Sequence, residues 1–171
     1  MGRVLAQELG CTFLDTDPLL ELALRKSIAR CFQEDGEPAF RAQETLVLEN
    51  ICRRISEGER CVVSTGGGIV LHPPNVELMR RSGLVVWLKA SVETIRRRIE
   101  TDPRTASSRP SLSSLGTASS EVEAVLEKRK PLYRAACDME VSTDGVEVGL
   151  VVTRILSLPG LQGFRRDLES P

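Results

Sequence analysis

The sequence carries no excess of charge of either sign and no long apolar run. Its 23 lysines and arginines nearly balance 24 aspartates and glutamates, which leaves a formal net charge of -1. No electric field therefore steers the chain toward nucleic acid or an anionic membrane. No apolar run approaches the roughly 20 residues of a membrane span, and the first residues lack a signal-peptide pattern. We expect a soluble protein of a reducing compartment that acts on a small molecule.

Paired cysteines and a known phosphate-binding motif are also missing. The cysteines are odd in number, widely spaced and mostly set among apolar neighbours: Cys11, Cys31, Cys52, Cys61 and Cys137. This pattern is typical of reduced core thiols rather than of a disulfide framework or a zinc site. The sequence contains no Gly-x-x-x-x-Gly-Lys followed by Ser or Thr, and its one Lys-Ser pair, Lys26-Ser27, has no glycine nearby.

Apolar periodicity alternates between strand and helix along the chain. The 171 residues, 41% of them hydrophobic, are enough for one domain with a core. The alternation predicts an α/β fold, a parallel sheet flanked by helices on both faces. Predicted strands cover residues 11–14, 61–64, 84–88 and 140–142. Predicted helices cover residues 2–9, 18–25, 27–33, 37–55, 74–81, 91–100, 120–136 and 146–156.

Two segments break this alternation. Residues 101–120 are rich in Ser, with Pro and Gly, and lack apolar periodicity; so long a loop inside a domain is more often a lid or binding loop than a plain connector. Residues 159–171 are polar and interrupted by Pro and Gly, so we expect a frayed tail. The predicted domain is therefore residues 1–158, with a lid at about 101–120.

Asp15 and Asp17 follow the first predicted strand, at the sheet edge where α/β proteins bind ligands. On an extended segment, acids two residues apart point the same way, and two adjacent carboxylates need a cation or a shared proton. Phosphoryl transfer supplies both needs, through a hydrated Mg²⁺ and an acceptor hydroxyl. The other interpretation of an Asp-x-Asp string at a strand end is a turn or a helix N-cap.

Arg41 and Arg129 are candidate anion ligands. Arg41 lies near the start of a long helix, one turn before Glu44, and Arg129 lies just before Pro131. Two guanidinium groups facing one crevice suit a small carboxylate, which each can bind in bidentate fashion. The alternative is that Arg41 and Glu44 are an ordinary exposed helix pair.

Three successive glycines, Gly66, Gly67 and Gly68, follow the second predicted strand. Without side chains, they let the backbone approach a ligand closely and offer N–H groups to it. A flexible turn is the alternative interpretation of the same triplet.

These strings, in this order and spacing, resemble the shikimate kinase family over about residues 2–158. They are Asp15-Thr16-Asp17, Phe40-Arg41-Ala42-Gln43-Glu44, Thr65-Gly66-Gly67-Gly68 and Arg129-Lys130-Pro131-Leu132-Tyr133. The resemblance implies a P-loop-type kinase fold. It also implies transfer of the ATP γ-phosphoryl group to the shikimate 3-hydroxyl, in chorismate and aromatic amino-acid biosynthesis. A monomer in the cytoplasm is implied as well, or in the plastid if a transit segment precedes Met1.

The resemblance assigns the substrate residues. The position matching Asp17 binds and activates the shikimate hydroxyl. Those matching Arg41 and Arg129 hold the carboxylate, and Glu44 fixes Arg41. Residues 66–68 form the floor of the site.

The resemblance also assigns nucleotide and metal residues. Asp15 helps to hold Mg²⁺ through water, Arg109 is the cation of a closing lid, and Arg98 contacts adenine. Arg109 belongs to an Arg-Pro-Ser-Leu string in which Ser111 stands where the family usually has leucine, so lid packing is expected to differ.

The family begins with a central strand and a phosphate-binding loop that this sequence does not show. We therefore expect a fragment of a kinase, inactive as it stands, with two strand edges left unpaired. Two other hypotheses remain open: a non-catalytic protein that binds shikimate for regulation, and an interaction domain that keeps the fold alone. Within the kinases, another polyhydroxylated acid such as gluconate is the neighbouring substrate.

Overall fold

Four short parallel strands carry the site at their carboxyl ends. A computed structural model describes residues 1–101 and 118–161. Its strands are β1 (Thr12–Asp15), β2 (Cys61–Ser64), β3 (Val86–Lys89) and β4 (Met139–Ser142). Its helices are α1 (Gly2–Glu8), α2 (Thr16–Leu24), α3 (Ile28–Glu34), α4 (Gly36–Ser56), α5 (Pro73–Ser82), α6 (Val92–Thr101), α7 (Ala118–Ala136) and α8 (Val148–Leu156), with 3-10 turns at Ile69–Leu71 and Pro159–Leu161.

The strands form two parallel pairs rather than one continuous sheet. β1 pairs with β2 from Thr12 opposite Cys61 onward, and β3 pairs with β4 from Val86 opposite Met139 onward. Within the described residues no ladder joins β2 to β3. The parallel α/β arrangement is thus confirmed.

Two helices on one face hold the strand pairs together. One apolar cluster joins α1 and α8 to Val62 of β2, and a second joins the same helices to Val86 of β3 and Val141 of β4. Met1 and Leu5 pack against both clusters. The remaining members are Val4, Leu9, Cys11, Val152 and Leu156 in the first, and Val146, Val151, Ile155, Leu158 and Leu161 in the second.

Helices also cover the opposite face. Trp87 follows Val86 in β3, so its side chain points to the other side of the strand. There its ring lies 5.4 Å, between centroids, from the ring of Tyr133 in α7. Helices therefore lie on both faces of the strands, as the alternating pattern predicts.

Local signals explain where several helices begin and end. Gly10 has a φ of 57° directly after α1, a conformation that glycine adopts without strain. The Ser27 hydroxyl accepts a hydrogen bond from the Arg30 N–H at 3.2 Å and caps α3. Two prolines, Pro73 and Pro74, open α5, where their missing N–H groups need no partner.

The turns after β3 and β4 are tied to each other. Asp144 accepts hydrogen bonds from the Ser91 N–H at 2.9 and 3.0 Å and from the Ser91 hydroxyl at 3.0 Å. These bonds, first of all those from the Ser91 backbone, hold the pKa of the Asp144 carboxyl below its ordinary value. The carboxyl ends of both strands are thereby fixed beside the start of α6.

The predicted lid falls mainly on residues outside the described part of the chain, as does most of the predicted tail. Described structure continues to Leu161, which packs against the cluster around Val141. No helix in residues 1–101 and 118–161 is both long and apolar enough to span a membrane. All five cysteines are free, as predicted, although only Cys31 is fully buried.

Replacing Ile155 with alanine tests whether α8 holds the strand pairs. Ile155 is 3% exposed, whereas Leu150 on the same helix is 59% exposed. We expect Ile155→Ala to lower the free energy of unfolding by about 2–5 kcal/mol and Leu150→Ala by less than about 0.5 kcal/mol. Urea denaturation of the wild-type protein and the two variants measures both changes in the free energy of unfolding. Equal effects of the two substitutions would show that α8 contributes little to the core.

Candidate functional site

Asp15 and Asp17 lie at the junction of β1 and α2. The strand ends at Asp15 and the helix begins at Thr16, so the prediction that both acids sit on an extended segment is wrong. The Asp15 Oδ1 atom accepts a hydrogen bond from the Asp17 N–H at 3.2 Å and caps the helix. The chain turns into a helix here because that capping bond satisfies a free N–H of the first turn. Asp17 therefore projects from the first turn of α2.

Each of the three glycines lies beneath a different functional side chain. A methyl group on Gly66 would lie 3.2 Å from the Asp17 Oδ1, and one on Gly67 would lie 2.9 Å from the Tyr133 hydroxyl. A methyl group on Gly68 would lie 2.6 Å from both terminal nitrogens of Arg41. None of the three has a positive φ. A methyl group at any of the three positions would press against one of these side-chain ends, and the backbone torsions do not themselves demand glycine.

Two residues that sequence reasoning left without a role anchor this glycine segment. The Gly66 N–H donates to the Thr16 hydroxyl at 3.3 Å, and the Tyr133 hydroxyl donates to the Gly67 carbonyl at 2.8 Å. The Gly66 N–H is thus already bonded within the protein. Tyr133 belongs to the Arg-Lys-Pro-Leu-Tyr string, and Thr16 separates the two acids. Their positions within these motifs are the sequence signal that could have identified them as site residues.

Arg41 is bonded to two carboxylates of its own helix. Its Nη1 donates to the Glu44 Oε2 at 2.8 Å, and its Nε and Nη2 donate to the Glu37 Oε1 at 3.1 and 3.0 Å. The side chains are 19% exposed for Arg41, 3% for Glu44 and 57% for Glu37. Because Glu44 is buried, the interpretation of Arg41 and Glu44 as an exposed helix pair is wrong. Glu37 is a further partner that the motif did not reveal.

The Glu44 carboxylate in α4 interacts with charged residues of its own helix and of α2 and α7. Burial raises the pKa of its carboxyl above the ordinary value for glutamate, and the hydrogen bond and the charge of Arg41 lower that pKa in part. The Asp17 charge raises the pKa further and the Arg129 charge lowers it. The charges of Asp17 in α2 and Arg129 in α7 thus both act on Glu44, and Gly66 lies next to the carboxylates of Asp17 and Glu44.

Arg98 lies at the carboxyl ends of β3 and β4. Its Nη1 and Nη2 donate to the hydroxyl and the carbonyl of Thr143, each at 2.9 Å. Thr143 is 2% exposed and its hydroxyl donates to the Lys89 carbonyl at 2.9 Å. Arg98 is thus held rigidly beside the strand ends. Arg109 and Ser111 lie outside the described residues.

A cavity of about 320 Å³ opens beside Arg41. It is lined by Glu37, Pro38, Arg41, Leu71 and His72. The His72 Nδ1 lies 3.4 Å from the Thr45 hydroxyl, which itself donates to the Arg41 carbonyl at 3.1 Å. His72 therefore reaches the edge of the site, although its sequence context suggested no role.

Asp15 is the residue that the sequence analysis predicted to hold a hydrated cation. Asp15 uses Oδ1 as the helix cap, which leaves its second oxygen as a hard donor of the kind that Mg²⁺ prefers. No group of three or more His, Cys, Asp or Glu side chains within residues 1–101 and 118–161 could hold a metal ion by itself. This donor set fits contact through a water shell and does not fit direct coordination by the protein alone.

Comparison with known proteins identifies relatives over almost the whole chain. The family model for shikimate kinase matches residues 1–159. A shikimate kinase of Synechococcus sp. (strain RCC307) is 40% identical over 94% of this chain and 78% of its own length, and one of Caldicellulosiruptor bescii is 35% identical over 92% and 86%. The structure of shikimate kinase from Acinetobacter baumannii in complex with shikimate matches with a TM-score of 0.80 at 32% identity, covering 91% of this chain and 82% of that one.

Replacing Arg41 with methionine leaves the buried Glu44 carboxylate without its main partner. We expect a loss of about 2–3 kcal/mol of stability at neutral pH, less than for a fully enclosed pair because Arg41 keeps some exposure. Glu44 already has a raised pKa in the folded protein, and the substitution raises it further. Below the pKa that Glu44 has in the unfolded chain, Glu44 is neutral and the substitution costs little. The loss of stability therefore grows as pH rises through the higher pKa that Glu44 has in the folded protein.

Urea denaturation of the wild-type and Arg41→Met proteins between pH 4 and pH 8 measures this dependence. Arg81→Met is the matched control, since Arg81 pairs with Glu77 one turn away at 2.6 Å with both side chains exposed. The control is expected to change stability by less than about 0.5 kcal/mol at every pH. A pH-independent loss in Arg41→Met would contradict the assignment to Glu44.

Proposed function

The chain belongs to the shikimate kinase family of ATP-dependent phosphotransferases, and we propose that it binds shikimate above residues 66–68 for phosphorylation of the 3-hydroxyl. One observation carries this proposal. The side-chain ends of Asp17, Tyr133 and Arg41 lie so close to three successive glycines that a methyl group on any of them would press against one of these ends. The result is a floor of bare backbone with an acid at one end and a guanidinium at the other, which matches a substrate with hydroxyls and one carboxylate.

Arg41 and Arg129 are the proposed carboxylate ligands. Arg41 presents a planar group with parallel N–H donors, the geometry that binds a carboxylate in bidentate fashion. The charge of Arg129 acts on Glu44, the buried partner of Arg41, so both cations serve one small region. Glu44 is a positioning residue, because its Oε2 holds the Arg41 Nη1 at 2.8 Å.

Asp17 is the proposed base. When the shikimate 3-hydroxyl forms its bond to the γ-phosphorus of ATP, the bond from that phosphorus to the β,γ-bridging oxygen breaks and ADP leaves. The hydroxyl proton passes to the Asp17 carboxylate. Asp17 lies close enough to Gly66 to reach a substrate resting on the glycine floor, and the helix cap at Asp15 fixes the turn from which it projects.

Asp15, Arg98 and Arg109 are proposed for the nucleotide side. Asp15 would hold Mg²⁺ through water, and the ion would neutralise phosphate charge. Arg98 would contact adenine; in support, it is held at the carboxyl ends of the strands, where α/β folds bind ligands. Arg109, beyond the described residues, is proposed as the lid cation that stabilises charge on the transferred group.

The 171-residue chain alone is proposed to bind shikimate without turnover. Its sequence contains no Gly-x-x-x-x-Gly-Lys-Ser/Thr loop, and losing even one preorganised donor of such a loop costs about 3 kcal/mol of transition-state stabilisation.

Calorimetric titration of the chain with shikimate tests the substrate assignment. We expect binding in the micromolar range in the absence of nucleotide and no detectable binding of gluconate. A coupled assay with ATP and Mg²⁺ is expected to show no phosphorylation by the chain alone. Absence of shikimate binding to folded protein would refute the proposed substrate; turnover would refute only the inactivity.

Adding a methyl group at Gly68 tests the role of the glycine floor. The methyl group would lie 2.6 Å from both terminal nitrogens of Arg41, so the flexible guanidinium must move. We expect Gly68→Ala to weaken shikimate binding by about tenfold or more with little change in melting temperature. Gly149→Ala is the control, because no atom lies within 4 Å of its added methyl group. Unchanged affinity in Gly68→Ala would mean that Arg41 does not hold the substrate.

A further inference from the structure

All three edges of the Arg41 guanidinium are occupied. The Nε and Nη2 edge donates to the Glu37 Oε1, and Nη1 donates to the Glu44 Oε2. The fork between Nη1 and Nη2 faces Gly68. A methyl group there would lie 2.6 Å from both nitrogens and 3.0 Å from Cζ; these distances place it in the guanidinium plane, directly in front of the fork.

An incoming carboxylate therefore finds no free pair of parallel N–H donors on Arg41. Bidentate binding needs two such donors on one edge. The edge toward Gly68 leaves less room than a methyl group needs, since an added Cβ there would lie 2.6 Å from both nitrogens, so a carboxylate cannot enter on that edge. A substrate carboxylate must displace either Glu37 or Glu44.

The two glutamates differ sharply in what displacement costs. Glu44 is 3% exposed, so removing its partner leaves a buried charge unpaired, which is strongly unfavourable. Glu37 is 57% exposed and lies in the first turn of α4. It can return to water, and the adjoining cavity lined by Pro38, Leu71 and His72 gives its side chain room to swing.

We infer that the Glu37 carboxylate is an internal competitor, which occupies the Nε and Nη2 edge of Arg41 until the substrate carboxylate replaces it. This inference rests on the proposed function. Glu37 uses a single oxygen, Oε1, for both donors, whereas a substrate carboxylate can give one oxygen to each. The exchange thus replaces a shared acceptor with two parallel charge-assisted bonds, which are stronger. Glu37 shields Arg41 from other anions and lowers the affinity for the substrate.

The opposite role makes the opposite prediction. If Glu37 were a brace that orients Arg41 for binding, its removal would weaken binding. If Glu37 competes, its removal tightens binding, by about two- to fivefold for an ion pair that is part-exposed. The sign of the change in affinity therefore separates competition from bracing.

Titration of the Glu37→Gln protein with shikimate measures that sign. We expect the dissociation constant to fall by about two- to fivefold. Glu77→Gln is the matched control, because Glu77 makes the same i,i+4 pair with Arg81 on α5; its dissociation constant is expected to be unchanged. A weaker or unchanged affinity in Glu37→Gln would overturn the inference.

Glu37→Asp separates competition from a general effect of charge. Aspartate keeps the negative charge but is one methylene too short to hold the Nε and Nη2 edge in the same way. Competition predicts tighter binding in this variant also, whereas a field effect predicts none. The methyl ester of shikimate has no carboxylate, so Glu37→Gln is expected to leave its affinity unchanged.

These results also distinguish the two proposals. Absence of shikimate binding to the wild-type chain refutes the proposed function itself. Wild-type binding that Glu37→Gln weakens refutes only the competitor role. Melting temperatures of all variants establish that each is folded when it is titrated.

Discussion

The bond between Arg41 and Glu44 is the interaction on which the site depends. A carboxylate that is 3% exposed persists in charged form only with a partner of opposite charge, and Arg41 supplies that partner from the same helix, one turn away. Burial still raises the pKa of Glu44, so the compensation is incomplete. The bond also fixes one end of a guanidinium that would otherwise rotate, and it leaves the other end to Glu37, the more exposed and more easily displaced acid.

In this arrangement the backbone of the glycine segment comes close to the side chains that lie over it. Arg41 lies where a methyl group on Gly68 would displace its guanidinium, and methyl groups on the two preceding glycines would press against Asp17 and Tyr133. Their contacts come from α2, α4 and α7, elements far apart in sequence that meet at the carboxyl ends of the strands. A parallel sheet places those ends at one edge, which is why a crevice forms there.

The two strand pairs form this edge, although within the described residues no backbone ladder joins one pair to the other. β1 with β2 and β3 with β4 each form one parallel ladder, and the apolar faces of α1 and α8 span both. Side-chain packing by these two helices thus replaces backbone pairing as the connection between the halves. Asp17 is positioned by the β1–β2 pair and Arg98 by the β3–β4 pair, and the helices α1 and α8 pack against both pairs.

Local sequence signals predicted the secondary structure and named the candidate site residues. Apolar periodicity placed every described strand and helix within about three residues, because period and end signals are local, and the four motifs named Asp17, Arg41, Glu44 and the glycines. The prediction of an extended segment was wrong for Asp17, since one capping bond at Asp15 decides where the helix starts. Only the tertiary structure revealed the burial of Glu44 and the anchoring bonds of Thr16 and Tyr133, whereas Glu37 is an i,i+4 neighbour of Arg41 that helical spacing could have indicated. Burial and contacts between distant residues arise when elements pack, and no local pattern encodes them.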